Sequence, residues 1–224
     1  MFRDKFFPSI ISTARHEFGK KNMVSLKEQK PELTEELRRL CTEGNNPRMY
    51  IDTCTLLHPS GADLLNATEK ILPAHHLELF VPASVLYELE NVGNKDISQK
   101  KQSCQMLERL TVLEQNGTVR IALTNSPKFT DAGLLSRFVS ECQFYDLILL
   151  TQDRALAKKA QQIPSFLDGC VNSTHQIKAY KLTAQGSLTE NDDCHTIERK
   201  VMNHGSTEIY SREQLPYPCF YSHV

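Results

Sequence analysis

Met49-Tyr50-Ile51-Asp52-Thr53 is an apolar run that ends on a carboxylate and a hydroxyl. Its apolar and aromatic residues predict a buried β-strand at residues 48–52. Ligands in open α/β sheets bind just beyond the carboxyl ends of the strands. Asp52 is therefore expected at the edge of the sheet where a site would form.

The segments that follow alternate between strand and helix patterns. Strands are predicted at 48–52, 77–81, 118–123 and 146–151, with a weaker one at 176–182; the predicted helices are 61–73, 83–92, 97–116, 131–143 and 154–162. Near-continuous apolar strands that alternate with helices indicate a parallel sheet covered on both faces. The expected fold is α/β, with three α/β/α layers around a central parallel sheet.

Both ends of the chain differ from this pattern. Residues 1–47 are expected to form an N-terminal extension that packs on the main domain. Within them, Leu33, Leu37 and Leu40 follow helical spacing after Pro31, which predicts a helix. The main domain is assigned to residues 48–183 and a polar C-terminal tail to 184–224, loose or ordered only against the body or a partner.

The composition is that of an ordinary soluble globular protein. The chain is 40% hydrophobic and 24% charged, and its net charge of −1 argues against dense nonspecific coating of DNA. No apolar run approaches the ~18 residues of a membrane span, and no secretory signal is evident at the start. The seven cysteines are scattered and form no C-x-x-C pair, so a reducing, cytoplasmic location is expected.

Three further acids are expected at the same edge as Asp52. Glu88 lies in the helix that follows the second predicted strand, Asp131 opens the helix after the third, and Asp153 follows the fourth. The carboxyl ends of parallel strands meet at one edge, so the four side chains should converge. Asp146 precedes the fourth strand and is expected at the opposite edge.

Four carboxylates in one cleft repel each other unless cations or protons neutralise them. Hard oxygen ligands suit Mg²⁺ or Mn²⁺, which can activate a water for displacement at a phosphodiester. Thr53 and Thr151 add hydroxyls that could hold a carboxylate or a metal-bound water. Basic residues near the acids are candidates for RNA phosphate contacts: Arg154, Lys158, Lys128 and Arg137.

Each acid also has an ordinary structural interpretation. A lone aspartate after a strand is usually a turn or capping residue. An acid in the first turn of a helix, such as Asp131, is also favoured by the helix dipole. A metal site is favoured here because Asp52 and Asp153 occur in the same setting, and ionisable groups with shifted pKa values cluster at functional sites.

Over residues 48–170 the chain resembles the PIN-domain nucleases. The resemblance rests on Tyr50-Ile51-Asp52-Thr53, on Val85-Leu86-Tyr87-Glu88, on Asp131 and on Thr151-Gln152-Asp153-Arg154. It implies an α/β/α domain that uses Mg²⁺ or Mn²⁺ to cleave RNA endonucleolytically. Many members of the family are toxins of toxin–antitoxin pairs, and others process RNA.

Two alternatives remain open at this stage. A catalytically inactive PIN-like module would bind RNA or a protein without cutting. A haloacid-dehalogenase-like phosphatase is disfavoured, because its second acid position is occupied by Cys54. A protein inhibitor or partner could bind through residues 1–47 or 184–224, and self-association is a further expectation.

Overall fold

The structure is a computed structural model that describes residues 31–122, 130–167 and 175–191. All of the described residues lie within residues 1–191. The expectations for residues 1–30 and for the tail beyond 191 lie outside the described residues and stay predictions.

A six-stranded sheet in the order β3-β2-β1-β4-β5-β6 organises the described residues. Strands β1 to β5 pair in parallel, and β6 is antiparallel to β5. The bounds are Arg48–Ile51 (β1), Leu79–Pro82 (β2), Val119–Ala122 (β3), Leu147–Leu150 (β4), Ile177–Leu182 (β5) and Leu188–Glu190 (β6). The predicted α/β fold with a central parallel sheet is confirmed.

The helices of the described residues connect these strands. They are Pro31–Thr42 (α1), Thr53–Leu56 (α2), Gly61–Ile71 (α3), Ala83–Lys95 (α4), Ile97–Gln115 (α5), Thr130–Glu141 (α6) and Arg154–Leu167 (α7), with a 3-10 helix at Leu72–His75. The sequence analysis did not predict α2, which is a single turn and too short to show helical periodicity. None of the described helices combines the length and apolar character that crossing a lipid bilayer requires.

The two faces of the sheet bury separate apolar clusters. Because side chains alternate along a strand, Met49 and Ile51 of β1 face one side and Tyr50 faces the other. Helices α1, α3, α4 and α5 cover the first face, whereas α6 and α7 cover the second. This gives the three layers that the sequence predicted.

Helix α1 contributes directly to the first of these clusters. Leu33, Leu37 and Leu40 are 1%, 0% and 3% exposed and pack in the same cluster as Met49 and Ile51. The described part of the predicted N-terminal extension therefore shares the core of the domain.

The sheet continues past the predicted start of the C-terminal tail. Strand β6 pairs with β5 through Leu182↔Leu188 and Tyr180↔Glu190. Gly186, with φ of 82°, closes the turn between them in the left-handed region that favours glycine. The predicted boundary at 184 falls inside this hairpin, so the sequence analysis placed the tail too early: three residues with one buried leucine do not show a strand pattern.

Asp146 lies at the amino-terminal edge of the sheet, as predicted. Its carboxylate accepts hydrogen bonds from the backbone amides of Asn45 at 2.6 Å and Gln176 at 2.9 Å, and it lies 3.1 Å from Nδ1 of His175. These contacts join the segments that lead into β1, β4 and β5. Asp146 therefore has a structural role, away from the other edge.

Replacing Leu37 with alanine tests whether α1 belongs to the core. Because the side chain is fully buried, we expect Leu37→Ala to lower the free energy of unfolding by about 2–5 kcal/mol. The matched control is Glu35→Ala on the exposed face of the same helix, where a change within about 0.5 kcal/mol is expected. Equal, small effects in urea denaturation would show that α1 packs only loosely.

Candidate active site at the carboxyl edge of the sheet

The strand order places a crevice between the carboxyl ends of β1 and β4. β1 lies between β2 and β4, so the order of the strands reverses there, and ligands of open α/β sheets bind at such a point. Ile51 pairs with Leu150 in the parallel register. The next residues, Asp52 and Thr151, are therefore neighbours across two strands that lie about 4.8 Å apart.

Donors from α2 and from the residue after β4 hold the Asp52 carboxylate. The residue is 7% exposed, and its Oδ1 accepts a hydrogen bond from the Thr53 amide at 2.7 Å, which caps α2. Its Oδ2 accepts from Thr151 Oγ1 at 3.0 Å and from Cys54 Sγ at 2.8 Å. Asp52 is thus a helix cap, but capping uses only one of its two oxygens.

The Thr151 hydroxyl connects Asp52 to Asp153. While donating to Asp52, it accepts a hydrogen bond from the Asp153 amide at 3.0 Å. Asp153 Oδ1 in turn accepts from the amides of Ala155 at 2.7 Å and Leu156 at 3.1 Å, at the start of α7. A single fully buried hydroxyl therefore sets the spacing between the two aspartates.

Glu88 reaches the same edge from α4, which begins directly after β2 ends on Pro82. Thr53 Oγ1 donates a hydrogen bond to Glu88 Oε2 at 2.7 Å. Thr53 thereby links Glu88 to the turn that carries Asp52. Both threonines that the sequence singled out contact the acids.

Asp131 lies in the first turn of α6, close enough to these acids for their charges to affect its pKa. Partial desolvation and the negative charges of Asp153 and Glu88 raise its pKa above the ordinary value, and Lys159 opposes the shift. Such mutual repulsion requires proximity. Asp131, Asp153 and Glu88, which come from three separate parts of the chain, therefore lie close enough to interact electrostatically.

Asp52, Glu88, Asp131 and Asp153 are the residues that could hold a divalent cation. Across 31–122, 130–167 and 175–191, no group of three or more His, Cys, Asp or Glu side chains forms a ready metal cage. Mg²⁺ commonly takes only one or two carboxylates and keeps several waters, so a cage is not required. Oδ2 of Asp153 and Oε1 of Glu88 accept no hydrogen bond from any described residue.

The basic candidates separate into different locations. Arg154 and Lys158 are exposed on α7, just after Asp153. Arg137 instead donates to Glu141 at 3.1 Å, and Glu141 also pairs with Arg48 near the amino-terminal edge. The phosphate-contact role of Arg137 stays a prediction. Lys128 lies outside the described residues.

Cys54 takes part in the site through its thiol. Its half-buried thiol donates to Asp52 and accepts a hydrogen bond from the Gln152 amide at 3.2 Å. Burial, together with the charge of Asp52, raises the thiol pKa to about 11. Its position two residues after Asp52, on the turn at the strand end, was the signal that could have revealed the contact.

Comparisons with known proteins give a distant likeness to a solved structure. Neither the family models nor the curated protein sequences yield a match. Among solved structures, the chain is similar to one titled "Structure of the PIN domain endonuclease Utp24", with a TM-score of 0.40 and 12% identity over 64% of this chain and 90% of that chain. So distant a likeness does not bear on activity, which has to be inferred from the side chains at the carboxyl edge.

Replacing Asp131 with asparagine should stabilise the protein slightly. The raised pKa means that the ionised carboxylate disfavours the folded state; the penalty is present above the folded-state pKa and absent below the unfolded-state value. Screening limits the gain to under ~0.5 kcal/mol, or a rise of about 1–2 °C in Tm at neutral pH.

The gain should shrink as the pH falls, because wild-type Asp131 is then protonated as well. Thermal melts of both proteins from pH 4 to pH 8 measure it. A lower Tm for Asp131→Asn at every pH would show that the helix dipole outweighs the repulsion.

The Cys54 thiol should react slowly with alkylating reagents. The thiolate is the nucleophile, so its labelling rate should keep rising beyond pH 9 towards the pKa of about 11. Mass spectrometry of iodoacetamide-labelled peptides measures this, with the exposed Cys104 as internal reference. A rate for Cys54 that levels off below pH 9 would contradict the buried, acid-bound thiol.

Proposed function

We propose that this protein is a metal-dependent endoribonuclease of the PIN-like type, which cleaves single-stranded or loop RNA by attack of water. The observation that carries the proposal is the contact through Thr151 that fixes Asp52 beside Asp153 at the switch point of the sheet. The approach of Glu88 and Asp131 adds support, and so does the resemblance of these motifs to PIN-domain nucleases.

Asp52, Glu88, Asp131 and Asp153 would hold Mg²⁺ or Mn²⁺, directly or through waters. The bound ion would supply an activated water and stabilise charge during an in-line displacement at phosphorus. Thr53 and Thr151 orient Glu88 and Asp52 by hydrogen bonds, which keeps the carboxylates in place before substrate arrives. Cleavage would leave a 5′-phosphate and a 3′-hydroxyl, as the family resemblance implies.

Basic side chains beside the acids would bind the phosphates of the RNA backbone. Arg154 and Lys158 are exposed on the first turns of α7, and Lys159 acts electrostatically on Asp131. The whole chain carries a net charge of −1, so binding has to rely on such a local group. Phosphate contacts of this kind position a strand without reading its sequence.

A catalytically inactive PIN-like binding module is the second candidate. Two observations favour it: the described residues contain no ready metal cage, and Asp52 already accepts three hydrogen bonds. A calorimetric titration with Mn²⁺ distinguishes the two functions. A nuclease should bind the ion and lose the binding in Asp153→Asn, whereas a module of this kind should bind none.

Replacing either central aspartate should abolish cleavage without unfolding the protein. We expect Asp52→Asn and Asp153→Asn each to reduce Mg²⁺- or Mn²⁺-dependent cleavage at least ~100-fold, since a carboxamide is a poor ligand for a hard cation. Asparagine also caps helices well, so α2 and α7 should persist. The measurement is gel analysis of end-labelled single-stranded RNA, together with circular dichroism.

The matched control is Glu108→Gln, an exposed carboxylate on α5 outside the site, which should leave the rate unchanged. Undiminished metal-dependent cleavage by both aspartate variants would remove the acids from the reaction. Cleavage that survives a chelator in the wild-type protein would count against metal dependence.

A further inference from the structure

A groove lined by both polar and apolar side chains lies between α5 and the turn that follows α2. Its volume is about 410 Å³, within the ~300–1,000 Å³ range of ligand sites. Ser98, Lys101, Gln102 and Gln105 line one wall, and His58 and Pro59 lie opposite. None of the described residues that line the groove is acidic, although acids slightly outnumber lysine and arginine in the chain, 27 to 26.

The wall on α5 is a continuous stripe of one helix face. Positions 98, 101, 102 and 105 follow the i, i+3, i+4, i+7 spacing that places side chains on the same side. The core stripe of the same helix, Met106, Leu110 and Leu113, is buried. Helix α5 thus packs on the domain with one face and presents hydroxyl, ammonium and amide groups to the groove with another.

The short helix α2 joins this groove to the acids. At its start, Thr53 donates to Glu88; just after its end, the Leu57 carbonyl accepts a hydrogen bond from Gln102 Nε2 at 2.9 Å. Five residues at ~1.5 Å per residue span about 7 Å. The groove therefore opens next to the site, on the side away from Arg154 and Lys158.

His58 lies on the opposite wall. Its Nδ1 accepts a hydrogen bond from the Ser60 amide at 3.2 Å. On the α5 wall, Ser98 Oγ donates to the Asp96 carboxylate at 2.6 Å, and the Gln102 amide donates to the Leu57 carbonyl. The exposed ammonium group of Lys101 is therefore the part of the lining that suits a negatively charged ligand.

We propose that this groove binds the single-stranded nucleic acid next to the phosphodiester that the acids would cut. Lys101 contacts a backbone phosphate, and Gln105 contacts the edge of a neighbouring base or its ribose. This rests on the proposed nuclease function and adds where the strand leaves the site. Two positive surfaces, on α7 and on α5, would then flank the acids and hold the strand across them.

The test compares two adjacent lysines of α5. Lys101→Gln and Lys100→Gln remove the same charge from the same helix, and both side chains are exposed, but only Lys101 lines the groove. Binding of the full chain to a fluorescein-labelled 12-nucleotide RNA, and to DNA of the same sequence, is followed by fluorescence anisotropy. Each titration is done in EDTA and in Ca²⁺ at several salt concentrations, with oligonucleotide integrity checked on gels.

We expect Lys101→Gln to weaken binding about fivefold at ~0.1 M salt, because one contact to a single strand adds ~0.7 to the salt slope. Lys100→Gln should change the affinity less than twofold. A loss shared by RNA and DNA assigns the contact to the phosphate, and a loss with RNA alone assigns it to the ribose side. Equal effects of the two variants, or no binding of either oligonucleotide in either condition, would overturn the proposal.

Failure of this inference and failure of the proposed function give different results. If the wild-type protein binds through Lys101 but never cleaves with Mg²⁺ or Mn²⁺, the groove stands and the nuclease function fails. If the protein cleaves RNA and the two lysine variants behave alike, the nuclease function stands and the groove fails.

Discussion

The hydrogen bond from Thr151 to Asp52 is the contact on which the candidate site depends. It crosses from β4 to β1, where the strand order reverses, and it exists because these strands pair in parallel with Ile51 opposite Leu150. A carboxylate as buried as Asp52 is stable only if hydrogen bonds replace its lost hydration. The same hydroxyl also receives the Asp153 amide, so one side chain sets the relation between two acids.

The acids at the two edges of the sheet differ in their ion-pair partners. At the amino-terminal edge, Glu141 pairs with Arg48 and Arg137, and Asp146 binds backbone amides and His175. At the carboxyl edge, Asp52, Glu88, Asp131 and Asp153 form no direct ion pair with any described residue. The acids at the amino-terminal edge are therefore neutralised by basic partners, whereas the four acids at the carboxyl edge repel one another unless a cation or protons neutralise them.

Structural and chemical roles overlap in the central aspartates. Asp52 and Asp153 cap α2 and α7, which accounts for their positions without any function. The capping of α2 and α7 does not explain why Glu88 and Asp131 lie at the same edge, because their helices, α4 and α6, follow other strands. Partial desolvation, together with the charges of Asp153 and Glu88, raises the pKa of Asp131, so the ionised form of Asp131 is disfavoured beside these acids.

The sequence by itself determined the order of strands and helices and the helical spacing of α1. It also determined the edge of the sheet at which Asp52, Asp153 and Asp146 lie. These features depend only on periodicity and chain direction, which neighbouring residues define. Pairing between distant segments decided the rest. Strand β6 forms by pairing with the edge of β5, Cys54 contacts Asp52 at the start of a one-turn helix, and Arg137 pairs with Glu141. The groove beside α5 also arises from packing, since its two walls are some forty residues apart in the chain.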